Sequence, residues 1–160
     1  GARDIPSDDQ IADFYETAVE RLAQMGIPRY EISNFARPGL ESRHNMKYWL
    51  REPYLGFGAD AHGFNGMHRM QNTESAADYV RDRAPSQTIA DPIGERFFLG
   101  LRLTRGIEPP FTPFEPQISE LISRGLLEMH DGHLRLTARG VMLSNEVFSE
   151  FIEVPAGVKQ

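Results

Sequence analysis

Between Asp8 and Met25 the apolar residues Ile11, Phe14, Tyr15, Ala18, Val19, Leu22 and Ala23 recur at alternating steps of three and one. That spacing draws one stripe along a helix and predicts an amphipathic element there. Ser7 followed by Gln10 reads as a capping box, Asp8 and Asp9 suit the positive helix N-terminus, and Gly26-Ile27-Pro28 reads as a stop. The period then changes: Arg29 to Phe35 predicts a short strand, ended by the turn signal Ala36-Arg37-Pro38-Gly39. From Tyr54 to Phe64 bulky residues alternate with small ones, including Gly56, Gly58 and Gly63, which predicts a strand running close to another backbone or a ligand. Ser75 to Arg83 predicts a short helix, and Ala84 to Pro92 reads as a polar linker.

In the second half a helix is predicted from Pro92 to Leu103, carrying Phe97, Phe98, Leu101 and Arg102. Glu108 to Pro116 holds four prolines and breaks it. A second helix is expected from Phe114 to Arg124, stopping at Gly125. Leu126–His130 and His133–Leu136 flank Asp131-Gly132, a pair that tolerates the positive φ values of a type I′ hairpin turn. Thr137 is placed to cap a last helix reaching Ile152. Helix, helix, hairpin and helix together look like a winged-helix-type module. The expected organisation is one α/β domain over residues 1–84, a linker at 85–91, the second domain over 92–153 and a tail over 154–160.

Composition narrows the options. With 160 residues, 40% of them hydrophobic and 25% charged, the chain is long enough to bury a core. Its net charge of -6 opposes a surface that tracks phosphates, so nucleic acid is not expected as a partner. There is no cysteine, hence no thiolate for a zinc or iron–sulfur site. No apolar run reaches the length of a bilayer span and the N-terminus carries no hydrophobic signal region, so the expectation is a soluble, cytoplasmic chain.

Candidate chemistry gathers between residues 30 and 64. His44-Asn45-Met46-Lys47-Tyr48-Trp49 sets an imidazole, a carboxamide, a phenol and the single Trp within six residues. On a helix His44 and Tyr48 would share a face, presenting a metal ligand beside an aromatic wall. The alternative is that Tyr48 and Trp49 are core aromatics and His44 caps a turn. Gly56-Phe57-Gly58, with Asp60 and His62 beyond, leaves room for a flat ligand at the backbone or for close strand packing. No helical pattern follows Gly63, so the dinucleotide-binding fingerprint is not met. Glu31, Ser33 and Arg37 surround a strand end, where sites gather in α/β barrels, although each is singly more common as a surface or capping residue. His68 reads as a loop residue, and His130 and His133 as exposed flanks of the hairpin.

Taken together, Tyr30-Glu31-Ile32-Ser33-Asn34-Phe35-Ala36-Arg37-Pro38-Gly39, Ser42-Arg43-His44-Asn45, Tyr48-Trp49 and Tyr54-Leu55-Gly56-Phe57-Gly58-Ala59-Asp60-Ala61-His62 resemble the oxygen-independent coproporphyrinogen III oxidase-like radical-SAM family. The pattern His-Asn-x-x-Tyr-Trp is similar to that of the family's HemW-type haem chaperones, whereas the oxidase proper differs around the Tyr-Trp pair. Asp60 stands where the family pattern has a small residue. The resemblance implies the last elements of a partial (βα)6 radical-SAM barrel followed by the winged-helix-like domain. It implies haem contact at His44, as iron ligand, with Asn45, Tyr48 and Trp49 around it. It also implies that Gly56, Gly58, Ala59 and His62 lie on a strand near S-adenosylmethionine. The family's [4Fe–4S] cluster is held by a Cys-x-x-x-Cys-x-x-Cys motif that this chain lacks, so a fragment unable to do radical chemistry alone is expected.

Three functions follow. The first is haem binding and delivery to a haem-requiring acceptor protein. The second is oxidative decarboxylation of coproporphyrinogen III in porphyrin biosynthesis. The third is a winged-helix nucleic-acid binder, for which the candidate recognition helix has the wrong sign of charge, with Glu115 and Glu120 against one Arg. An open barrel edge would favour a homodimer.

Overall fold

A computed structural model describes residues 6–81 and 84–152. The expected tail at 154–160 and the end of the helix expected to reach Arg83 lie outside them. In chain order the elements are α1 (Asp8–Gln24), β1 (Arg29–Glu31), β2 (Asn34–Phe35), α2 (Arg43–Trp49), β3 (His62–Phe64), β4 (His68–Gln71) and α3 (Ala76–Arg81). They continue with β5 (Ser86–Ile89), α4 (Pro92–Gly100), α5 (Glu115–Ser123), β6 (Leu127–His130), β7 (His133–Leu136), α6 (Ala138–Met142) and α7 (Ser144–Ser149). The fold is mixed α and β, and every strand pair among the described residues is antiparallel. The chain divides into two compact units that interleave in sequence. One runs to Ser42 and resumes over Leu101–Val147; the other comprises Arg43–Gly100 and the chain from Phe148 on.

In the first unit α1 starts as its sequence predicts: the Gln10 amide donates to Ser7 Oγ at 3.3 Å and the Ser7 amide to Gln10 Oε1 at 2.9 Å. Residues 29–35 are a hairpin rather than one strand. The cause is Glu31, which is fully buried and accepts from the Ser33 amide at 2.9 Å and from Asn34 Nδ2 at 2.5 Å, closing the turn with a side chain. Thr104 N donates to Tyr30 O and Ile32 N to Arg102 O, both at 3.1 Å. That pairing sets Leu103, which has turn residues on either side, opposite Glu31 in an antiparallel bridge, so α4 ends at Gly100 and not at Leu103.

The remaining core of this unit is built by Ile118 and Leu121 of α5, Leu127, Leu134 and Leu136 of the hairpin, and Val141 of α6. Each such burial contributes about 1.5–3 kcal/mol. The hairpin has the expected register, with Met129 opposite Leu134, and its turn residues Asp131 and Gly132 take φ of 48° and 79°. The last helix is two segments, not one. Val141 and Val147 are six residues apart and would face apart on a straight helix, and the break at Leu143 lets both be buried.

The second unit holds a three-stranded sheet in the order β3-β4-β5. Residues 85–91, expected as a linker, contain β5, whose Arg69↔Thr88 and Met70↔Gln87 pairs complete that sheet. His68, expected in a loop, opens β4. Residues 54–64, expected as one strand, double back on themselves: Tyr54 and Phe64 exchange backbone hydrogen bonds of 2.8 and 2.9 Å, leaving only His62–Phe64 as strand. Phe97 of α4 stacks on Phe151 with centroids 4.9 Å apart and planes 13° from parallel, and Phe64 completes the core.

Candidate functional site

The sequence His44–Trp49 is helical, and α2 puts His44 and Tyr48 on one face as the spacing requires. Tyr48 Oη lies 3.1 Å from His44 Nε2, and the two rings meet edge to face at 4.9 Å. His44 is exposed, while Asn45, Tyr48 and Trp49 are half-buried. The helix ends in a Schellman motif: Glu52 N donates to Lys47 O at 2.9 Å and Arg51 N to Tyr48 O at 3.1 Å. Its left-handed residue is Arg51, at φ 53°, where glycine is the usual occupant.

Arg51 is held there by Glu95. Its Nε donates to Glu95 Oε2 at 2.7 Å, while Arg69 donates to both carboxylate oxygens, at 2.9 and 2.8 Å. Burial pushes the Glu95 carboxyl up, but the hydrogen bonds and charges of Arg69 and Arg51 outweigh it and leave the group below the ordinary carboxylate range. Arg69 is correspondingly raised by its bond to Glu95. The two guanidinium groups also lie over the Phe64 ring, at 5.1 Å for Arg51 and 4.2 Å for Arg69. Arg69 Nη1 donates to Tyr54 Oη at 3.3 Å, and Tyr54 packs edge to face on Tyr48 at 4.6 Å.

These contacts leave a pocket of about 390 Å³ lined by Tyr48, Trp49, Tyr54 and Phe98, with Leu99, Arg69 and Glu95. It is an aromatic wall beside one carboxylate held by two guanidinium groups, Arg51 and Arg69, and its volume is toward the small end of ligand sites. His44 lies one helical turn from Tyr48, and Arg43 and Lys47 are exposed on the same helix.

The glycine-rich segment does not contribute to this pocket. Gly56, Gly58 and Ala59 lie in the loop that Tyr54 and Phe64 close, and His62, exposed, begins β3. A side chain at Gly56 would run into the His62 carbonyl, so the close approach there is to the chain's own backbone. At Gly58, φ +102°, the corresponding space is open. Buried Asn72 fixes the loop by donating to the carbonyls of Gly56 at 3.3 Å and Gly58 at 2.8 Å. Glu31 and Ser33 serve the β1–β2 turn, and Arg37 is exposed.

Arg69, Glu95, Phe98 and Leu99 are pocket residues that sequence reasoning did not assign to a site, and neither was Arg51, which holds Glu95. Arg69 and Glu95 are 26 residues apart on a strand and a helix, and no local motif links them. Among the described residues no group of three or more His, Cys, Asp or Glu is arranged to hold a metal ion. Among the described residues no helix is long and apolar enough to cross a membrane.

Residues 88–143 match the family described as the HemN C-terminal domain. The chain is 36% identical over 172 residues to the heme chaperone HemW of Bacillus subtilis (strain 168), covering 95% of this chain and 45% of the relative. It is 36% identical over 165 residues to the heme chaperone HemW of Lactococcus lactis, covering 92% and 44%. The solved structure of coproporphyrinogen III oxidase HemN from Escherichia coli, a radical SAM enzyme, superposes with a TM-score of 0.63 at 19% identity, covering 94% of this chain and 43% of that one. The mixed α and β fold is thus that of part of a radical-SAM protein, and the chain belongs to the coproporphyrinogen III oxidase-like radical-SAM family. Within that family its sequence sides with the HemW-type branch, and it spans a little under half the length of those relatives.

Proposed function

We propose that the chain forms the haem-holding part of a HemW-type chaperone that passes haem to a haem-requiring acceptor. What supports this most is the placing of an exposed imidazole, His44, one turn from an aromatic-walled pocket, in a chain whose relatives are named heme chaperones. Haem is cargo here. The imidazole of His44 meets the iron, the flat ring lies along Tyr48 and Trp49, and the exposed cations Arg43 and Lys47 are available for its propionates. Asn45 borders the ligand on the same helix. Tyr48 holds Nε2 at present, so iron binding through Nε2 displaces a phenol, while binding through Nδ1 leaves it in place.

S-adenosylmethionine in the intact relatives would lie against the 55–62 loop. The open space at Gly58, with Ala59 and His62 nearby in the chain, supports this, whereas Gly56 is occupied by the His62 backbone. For a [4Fe–4S] cluster this sequence has no thiolate at all.

A Soret-band titration of haemin into the protein, beside His44→Ala, His62→Ala and Tyr48→Phe, tests the reading. Saturable binding lost only in His44→Ala is expected. Tyr48→Phe then assigns the ring nitrogen, binding more tightly if Nε2 is the ligand. Equal binding by wild type and His44→Ala would overturn the assignment.

A further inference from the structure

Within the first unit α1 and α6 border an apolar groove of about 330 Å³ floored by Val19, Ala138, Val141 and Met142. One wall is charged. Asp9, Asp13, Glu16 and Glu20 recur along α1 at steps of four, three and four, which puts all four carboxylates on a single stripe. All four are exposed, and among the described residues none forms an ion pair. Glu16 and Glu20 belong to the groove lining itself. The one cation there, Arg29, is turned to Tyr15, donating to its hydroxyl at 2.8 Å with its guanidinium 6.0 Å from the ring centroid.

We propose that this groove is a docking site for a basic amphipathic helix of a partner protein. An apolar floor beside an unneutralised acidic stripe is complementary to a helix with apolar residues at steps of three and four and Lys or Arg beside them. The stripe extends about 16 Å, three turns of such a helix, because each residue rises about 1.5 Å. A second copy of the chain is the wrong occupant. A two-fold contact through the groove would set the stripe of one copy against that of the other, in a chain whose net charge is already -6. An anionic lipid surface is opposed by the same sign. The proposal stands apart from the haem reading, since docking is measured without haem.

The test is fluorescence anisotropy of a labelled synthetic helix of Leu and Lys at amphipathic spacing, titrated with the intact protein, against the same peptide with Glu for Lys. Saturable, salt-sensitive binding of the Lys peptide alone is expected. The double variant Glu16→Gln, Glu20→Gln should weaken it about tenfold. Glu52→Gln, Glu74→Gln, which changes net charge equally on the other unit, should leave it within twofold. Ala138→Trp, which fills the groove but keeps every charge, should weaken it comparably, with circular dichroism confirming the fold of each variant. Absence of binding, equal loss in the Glu52 and Glu74 pair, or no effect of Ala138→Trp would each overturn the proposal.

Discussion

At the scale of single residues, Glu95 organises the candidate site. It receives three hydrogen bonds from Arg51 and Arg69, and through them it fixes a left-handed helix end, the Phe64 ring and the Tyr54 hydroxyl. A non-glycine residue in that left-handed conformation costs about 1 kcal/mol, and the ion pair with Glu95 holds Arg51 there. Because the folded carboxyl lies below its ordinary range, the unfolded chain binds the proton first as pH falls. Its contribution is therefore complete above the unfolded value of about 4.3 and is lost as pH drops through the lower folded value. Glu95→Gln should lower stability by about 2–3 kcal/mol at neutral pH and flatten this acid dependence. Urea denaturation at a series of pH values checks both, and an unchanged acid slope in the variant would remove Glu95 from this role.

At the scale of elements, what could be read in advance was whatever local chemistry decides. The capping box of α1, the helical face of His44 and Tyr48 and the Asp131-Gly132 turn all appear where the residue pattern put them, since each depends on neighbours within four positions. The misses depend on distant partners. Residues 86–89 look like a linker until β4 pairs with them, and 54–64 look like a strand until Tyr54 meets Phe64. Glu31 reads either as part of a site at a strand end or as a surface or capping residue, until its burial shows it closing a turn. In the same way, Gly56 invites a ligand only until the His62 carbonyl is seen against it. Gly56→Ala should destabilise the second unit by about 1–3 kcal/mol with no ligand present, read by thermal melting of the apo protein. A melt identical to wild type would return Gly56 to the ligand reading. Strand β5 is uncharged and exposed along its whole length at an outer position of its sheet, the kind of edge that pairs between chains. The homodimer is expected at an open barrel edge within residues 1–84; β5 lies beyond that region, and we propose it as the pairing edge instead. Light scattering should show a mass rising with concentration in wild type and a monomer for Thr88→Lys; a wild-type monomer throughout would dispose of it.

At the scale of the whole molecule, the proposed function separates chemistry from cargo. The chain spans 45% of a relative named as a heme chaperone, and in this stretch it carries an exposed imidazole and an aromatic pocket but no cysteine. Radical cleavage of S-adenosylmethionine needs an electron from an iron–sulfur cluster, and a cluster needs thiolates. Haem needs only an axial ligand and a flat apolar wall, the roles proposed for the His44 imidazole and for the aromatic pocket that extends to Phe98 in the same compact unit. The two abilities should therefore come apart in these 160 residues. After anaerobic incubation with iron, sulfide and a reductant, the chain should show no cluster absorbance and release no 5′-deoxyadenosine from S-adenosylmethionine, yet still shift the Soret band of haemin. Cluster formation would mean that other side chains replace the thiolates. Loss of the haemin response together with a folded circular dichroism spectrum would mean that the cargo site is completed by residues beyond this unit, and the haem assignment to His44 alone would fall.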